Sequence, residues 1–255
     1  MTRALAIARH ETRQLMRAPS GMLQLILMPL VMIAFLKPAF KEALIGEGFA
    51  GVSGAEQAVP GLTVMFTFFV ANFVSFSFFQ EHGWRTWERL RSSPATSGEI
   101  MAGKVLPSLG LIAVQQAVLL SLGGLLFGLH VRGPLLALVV VAVALALCLV
   151  AMGVALAAVC RTAQQLNTTS SLLAIGFSGL GGALAPISVL PSWVRPIAPA
   201  TPGYWAMRGY RAVILNGSGL SSVAGPSLML LVFGVAFTAL AFWRFRFDAA
   251  KTSFA

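Results

Sequence analysis

Long stretches without a charged residue dominate this chain and determine its predicted architecture. Crossing the hydrocarbon core of a bilayer takes roughly 20 apolar residues of helix, and six charge-free stretches approach or exceed that length. They are residues 18–36, 57–80, 105–129, 133–160, 162–194 and 216–243, the last becoming strongly apolar from residue 223. The pattern predicts an all-α fold with six transmembrane helices, in which residues 1–255 form a single transmembrane domain.

Glycine and proline interrupt two of these predicted spans. Pro29 lies inside the first span, where we expect a kink, and Lys37-Pro38 is expected to end it. The stretch 162–194 is too long for one level span and is rich in glycine and proline. We therefore expect a helix that spans and then breaks, followed by an outer re-entrant segment over 187–222 with tryptophan and tyrosine at headgroup level.

The first twenty residues have a different periodicity. Apolar positions recur every three or four residues, while arginines recur every four residues on another face. Residues 1–20 are therefore predicted to form an amphipathic interfacial helix that presents Arg9, His10 and Arg13. The helix serves either as a membrane-surface anchor or as a lever touching a cytoplasmic partner, and these roles are compatible. We expect no cleaved signal peptide, because the cations precede any apolar run.

Composition and charge support the membrane assignment. Hydrophobic residues make up 57% of the chain and charged residues 10%, with a net charge of +10. The cations flank apolar runs, so membrane lipid rather than nucleic acid is the expected partner. An N-terminus in the cytoplasm places twelve of the 18 Lys and Arg residues on the cytoplasmic side. We therefore expect a multi-pass protein of the cell (inner) membrane with both termini cytoplasmic.

Catalytic chemistry is not expected in this chain. The six stretches contain no Asp, Glu, Lys, Arg or His, which argues against intramembrane hydrolysis and proton coupling but leaves sodium coupling open. The three histidines lie in separate segments and predict no metal site. Residues 98–104 match part of a phosphate-binding loop, but Val105 follows where Ser or Thr should ligate magnesium. Any ATP hydrolysis is therefore expected on another subunit.

A few polar residues lie inside the predicted spans. Such side chains either form hydrogen bonds between helices or line a substrate path. The candidates for a substrate path are Gln24, Asn72, Ser75, Asn167 and Thr168. Gln115 and Gln116 are adjacent, so they cannot point the same way on a helix, and at least one should meet a neighbouring helix.

The segment 80–104 is predicted to be a cytoplasmic loop carrying a short charged helix that ends near Ser93-Pro94. A solvated surface helix would explain the charges alone, but two tryptophans on so polar a segment favour a docking surface. The candidate docking residues are Glu81, Trp84, Arg85, Thr86, Trp87, Glu88, Arg91, Ser93 and Pro94.

These residues resemble a motif of the membrane subunits of type-two ATP-binding-cassette exporters, the permease family that includes daunorubicin-resistance-like and polysaccharide exporters. Glu81, Thr86, Glu88 and Leu90 match in order, followed by Ser93-Pro94 and Gly103-Lys104, while Arg85 stands where glycine is common. Further matches are Pro60-Gly61, residues 181–186 (GGALAP), residues 190–193 (LPSW), Pro202, Tyr204 and Arg211.

The resemblance implies that loop 80–104 contains a coupling helix that docks on a separate cytoplasmic ATPase, which binds ATP and magnesium. It also implies a second copy or a related permease, a leader helix at the inner interface, and re-entrant outer helices before span six. The leading hypothesis is a permease subunit that exports a hydrophobic or amphipathic compound, such as a drug, lipid or glycan. The alternatives are a self-contained channel or sodium-coupled carrier, and a membrane scaffold without transport.

Overall fold

The computed structural model describes residues 2–17, 19–83 and 97–244, and every regular element within these ranges is helical. Two short 3-10 helices, Ile187–Val189 and Ala198–Ala200, accompany eight α-helices in these ranges. The α-helices are α1 Thr2–Arg17, α2 Pro19–Gly46, α3 Ala55–Gly83, α4 Ser97–Phe127, α5 Leu135–Val159, α6 Ala163–Leu180, α7 Pro202–Ile214 and α8 Leu220–Arg244. The predicted all-α class is confirmed.

Five of these helices are long and apolar enough to cross a membrane, and each coincides with a span predicted from the sequence. The five apolar stretches are Leu23–Gly46, Ala55–Ser77, Met101–Phe127, Leu135–Val159 and Leu220–Arg244. The predicted fifth span corresponds to α6, whose first half is polar and which ends at Leu180 before the 3-10 helices. The expected break after a helix is present, and the count of six spans stays a prediction.

The first span continues beyond the point where the sequence was expected to end it. Helix α2 passes through Pro29 and Pro38 and ends at Gly46. The Lys37 ammonium donates a hydrogen bond to the Phe127 carbonyl at 2.8 Å, so its charge is accommodated at the end of α4. The loop expected from residue 37 onwards therefore begins only after Gly46.

The boundaries around the predicted loop 80–104 also differ. Helix α3 continues to Gly83, and α4 already begins at Ser97. Lys104 consequently lies within α4 rather than in a loop. Residues 84–96, between the two helices, lie outside the described part of the chain.

Helix α3 is the central element of the bundle. It contacts α2, α4, α5, α6 and α7. In its most apolar stretch of 18 residues, 72% of the residues are buried, whereas the corresponding share is 22% for α2 and 28% for α4 and α8. Helices α5 and α8 pack side by side, with Gly234 close to the backbone of Cys148. Helix α1 packs on α4. The polar groups at the two ends of α3 are therefore well placed to connect several helices.

Gly61 marks the closest backbone contact of α3. A Cβ at this position would overlap the carbonyl oxygen of Ala183, in the segment after α6. We expect Gly61→Ala to lower the unfolding free energy by about 1–3 kcal/mol, because the backbone would have to move apart. Thermal unfolding in detergent measures this loss.

Gly110→Ala on α4 is the matched control, since a Cβ there meets open space. It should leave stability unchanged or slightly raised, because alanine favours helix. Equal stabilities for the two variants would contradict the close contact between α3 and Ala183.

Candidate functional site

Two clusters of charged and polar residues lie at opposite ends of α3. The α1 junction consists of Glu11, Ser77 and Lys104. The α7 junction consists of Glu47, Gln57, Ser188 and Arg211. Gln57 and Ser77 are separated along α3 by about 30 Å at the helical rise per residue, which is roughly the thickness of a bilayer hydrocarbon core. The junctions therefore lie at the two ends of the apolar stretch of α3, Ala55–Ser77.

The α1 junction joins three helices through a buried lysine. The Lys104 ammonium on α4 lies 3.0 Å from a Glu11 carboxylate oxygen on α1 and donates to the Ser77 carbonyl on α3 at 3.2 Å. The Lys104 side chain is 1% exposed and that of Glu11 is 12% exposed. Because a buried ammonium is strongly unfavourable without an acidic partner, the pair fastens α1 to the helices that flank residues 84–96.

The α7 junction ties the irregular segment after α6 to the start of α3. The Arg211 guanidinium pairs with the Glu47 carboxylate and donates to the Gln57 side-chain oxygen at 3.1 Å. The Gln57 amide donates to the Gly182 carbonyl at 2.9 Å. The Ser188 hydroxyl donates to the second oxygen of Glu47. Arg211 on α7 thus bonds directly to the loop after α2 through Glu47 and to α3 through Gln57. Gln57 and Glu47 in turn bond to the segment 181–201.

The first turn of α3, next to the α7 junction, contains a buried carboxylate. Glu56 is 4% exposed and accepts hydrogen bonds from the backbone amides of Ser53 and Gly54, each at 3.0 Å, and from the Ser53 hydroxyl at 3.1 Å. A negative charge in the first turn also interacts favourably with the helix dipole. Glu56 therefore stabilises the start of α3.

The two adjacent glutamines of α4 point to different neighbours, as their spacing predicts. Gln115 accepts a hydrogen bond from the Thr67 hydroxyl on α3 at 3.0 Å. Gln116 accepts from the Tyr210 hydroxyl on α7 at 2.6 Å and donates to the Ala142 carbonyl on α5 at 3.3 Å. Burial raises the pKa of Tyr210, so its hydroxyl remains a donor. Neutral hydrogen bonds thus link α4 to three other helices.

The residues predicted to line a substrate path do not form one cluster. The Asn72 amide on α3 donates to the Asn167 side-chain oxygen on α6 at 3.1 Å. Ser75 is fully buried, and its hydroxyl lies within hydrogen-bond distance of the carbonyls of Ala71 and Gly153. Because Gly153 is on α5, Ser75 forms a hydrogen bond between helices, the other role considered for these polar residues. Gln24 and Thr168 are exposed on α2 and α6. A path along these residues stays a prediction.

The predicted interfacial helix corresponds to α1, on which Arg9, His10 and Arg13 are exposed, as is Leu5. Of the predicted docking residues, Glu81 lies in the last turn of α3. The others lie outside the described residues: Trp84, Arg85, Thr86, Trp87, Glu88, Arg91, Ser93 and Pro94. Their docking role stays a prediction.

The described charged groups take part in contacts between elements of the bundle. No three His, Cys, Asp or Glu side chains come together as a metal site within 2–17, 19–83 and 97–244. Glu11, Glu47, Glu56, Lys104 and Arg211 each have a hydrogen-bond or ion-pair partner. This arrangement can transmit displacement between helices.

Comparison with known proteins identifies the class. Residues 2–215 match the family described as ABC-2 type transporter, so the chain belongs to this family. With its five long apolar helices it is a multi-pass membrane protein, and the family resemblance drawn from the sequence is confirmed.

A more specific relative is the linearmycin resistance permease protein LnrN of Bacillus subtilis (strain 168). The two chains are 27% identical over 198 residues, which is 77% of this chain and 51% of that protein. This chain therefore spans about half the length of the curated relative.

Proposed function

We propose that this chain is a permease subunit of an ATP-driven exporter. A separate cytoplasmic ATPase would bind ATP and magnesium, and a second copy or a related permease would complete the membrane unit. The membership in the ABC-2 family carries this proposal. The α1 junction supports it, because it fastens α1 to the two helices that flank the proposed docking segment 84–96.

The proposed coupling is mechanical. Movement of an ATPase bound to residues 84–96 would act on the end of α3 and the start of α4. Lys104 and its bonds to Glu11 and the Ser77 carbonyl would make α1 move with them. A transporter of this kind needs two packing arrangements of its helices and a rigid connection between them.

We further propose that α6 is the sixth span and that both termini are cytoplasmic. An 18-residue helix rises about 27 Å, close to the hydrocarbon thickness. With this orientation, which the distribution of Lys and Arg supports, the α1 junction would lie on the cytoplasmic side of the inner membrane and the α7 junction on the outer side. The 3-10 helices and α7 would form the outer re-entrant segment.

The cargo we propose is a hydrophobic or amphipathic compound. The relative from Bacillus subtilis is named as a linearmycin resistance permease, which supports the removal of a small compound as the role. The polar face of α6, with Asn167 and Thr168 exposed, supports a path in which polar and apolar groups of a cargo both find contacts.

Expression of this chain together with its neighbouring genes, followed by purification and identification of any co-purifying ATPase, tests the proposal. We expect Trp87→Ala or Glu88→Arg to weaken retention of the ATPase by tenfold or more, because buried tryptophans and charge pairs commonly dominate interfaces, at about 2 kcal/mol or more each. ATPase activity of the purified complex and transport of cargo into inside-out vesicles complete the assay.

Trp193→Ala is the matched control, because Trp193 is 63% exposed and lies in the segment after α6, on the proposed outer side. It should not change ATPase retention. A chain that purifies alone and conducts solute in liposomes would instead favour a channel or sodium-coupled carrier. A chain that binds the ATPase without any transport would favour a scaffold.

A further inference from the structure

An apolar groove runs between α4, α5 and α8 at the end of the bundle that carries the α1 junction. It has a volume of about 270 Å³, and its walls include Met101, Leu109, Ala151 and Phe242. The Thr238 hydroxyl contributes a polar atom, but it already donates to the Gly234 carbonyl at 2.8 Å. The groove therefore offers an occupant dispersion contacts rather than hydrogen bonds.

The groove opens toward the surroundings of the bundle rather than into its centre. Phe242 and Leu147 on its walls are among the exposed large apolar side chains, whereas the core lies around α3. In a multi-pass membrane protein these surroundings are lipid, so the available apolar molecule of matching shape is an acyl chain.

The depth of the groove matches one leaflet. Its α4 wall extends from Met101 to Leu109, a rise of about 12 Å, while half of the hydrocarbon core measures roughly 15 Å. A second groove continues from Leu109 past Ser121 along α4 and α5. The first groove thus corresponds to the leaflet on the α1 side.

A cation lies on α8 close in sequence to this groove. Helix α8 ends at Arg244, one turn beyond the groove residue Ala241. Its guanidinium is 5.7 Å from the centre of the Trp243 ring, and both side chains are exposed. An arginine held over tryptophan at the end of a span suits a lipid phosphate at headgroup depth.

We propose that this groove is a binding site for an anionic phospholipid. One acyl chain lies between α4, α5 and α8, and the headgroup lies against Arg244. The site is separate from the proposed transport function, because the lipid stays bound as part of the bundle instead of being moved.

Native mass spectrometry of the purified protein tests the site, using dioleoyl phosphatidylglycerol and dioleoyl phosphatidylcholine as probes. We expect tight retention of about one phosphatidylglycerol per chain and about tenfold weaker binding of phosphatidylcholine. Ala151→Phe should weaken retention of phosphatidylglycerol about tenfold, because the ring occupies the groove. Arg244→Gln should remove the preference between the two lipids but leave acyl-chain binding.

Val235→Phe is the matched control, because Val235 is 70% exposed on α8 and does not line the groove. It should retain phosphatidylglycerol like the parent. Val154→Phe provides a second groove-filling variant if Ala151→Phe fails to fold. Unchanged retention in a folded groove-filling variant would overturn the site, as would equal retention of the two lipids by the parent. Transport and ATPase assays do not enter this test, so its failure is independent of the proposed function.

Discussion

A Lys104→Glu variant is expected to lose the folded bundle at temperatures that the parent tolerates. The substitution places a second carboxylate beside Glu11 and points it at the Ser77 carbonyl, at a position where the native side chain is 1% exposed. Disrupting a buried ion pair costs about 3–5 kcal/mol, because the remaining charge keeps its desolvation penalty. Thermal unfolding in detergent, followed by the fraction of monodisperse protein, measures the loss.

The exchange Glu11→Lys with Lys104→Glu is the decisive control for this expectation. It restores opposite charges between α1 and α4, but not the bond to the Ser77 carbonyl, because a carboxylate cannot donate. It should therefore recover part of the stability lost by either single variant. Lys104→Met should be milder than Lys104→Glu, since the Glu11 carboxylate remains 12% exposed to solvent. A stable Lys104→Glu variant, or an exchange that recovers nothing, would show that the ion pair does not hold α1 to α4.

The second large effect is expected at the α7 junction. Arg211→Met removes the guanidinium that connects Glu47, Gln57 and α7. Because the Arg211 and Glu47 side chains are 22% and 15% exposed, solvent partly screens the pair. We expect a loss of about 1–3 kcal/mol from the polar partners left behind. Faster proteolysis within residues 183–201 should accompany this loss, since Ser188 shares the carboxylate of Glu47.

Arg208→Met on the same helix separates this effect from a general loss of positive charge. Arg208 is exposed, and its guanidinium lies 5.5 Å from the centre of the Trp205 ring. The variant should stay within about 0.5 kcal/mol of the parent, as surface substitutions usually do. Similar losses of unfolding free energy in Arg208→Met and Arg211→Met would contradict a specific stabilising role of the α7 junction.

Hydropathy alone was sufficient to locate five of the long helices, because uninterrupted apolar runs have few alternatives to a membrane span. A break within 162–194 was also predictable, since glycine and proline are clustered there. In the structure the helix ends at Leu180, and Gly182 has a φ of 86°. The divergent directions of Gln115 and Gln116 follow from helix geometry. These features depend on residues close together in the sequence.

The junctions could not be found in this way, because their partners are far apart in the chain. Glu11 and Lys104 are separated by 93 positions, and Glu47 and Arg211 by 164. From the sequence, Lys104 and Arg211 were counted among the cations that orient the spans and were matched to a family, but neither was given a partner. The length of α2 was underestimated for the same reason, since the partner of Lys37 is a carbonyl 90 positions away.

Helix α6 shows that the absence of charged residues alone does not identify a membrane span. Its first half carries Gln164, Asn167 and Ser170 among other polar residues, whereas the second half is apolar. A charge-free stretch was read as a span, but hydrogen-bonding capacity distinguishes such a helix from α5, which is apolar throughout. Whether such a helix is placed in the membrane depends on what its polar face contacts.

The spacing of the two junctions also has a consequence for the membrane in which this chain can reside. Each ion pair remains inexpensive only at the level where the hydrocarbon gives way to headgroups and water. In a thicker bilayer at least one pair would be drawn toward acyl chains, and in a thinner one apolar side chains of the bundle would meet water. Hydrophobic mismatch costs fractions of a kcal/mol per Å. Because α3 has a charged cluster at each end, we expect the chain to be most stable in a bilayer whose hydrocarbon thickness equals the distance between these clusters.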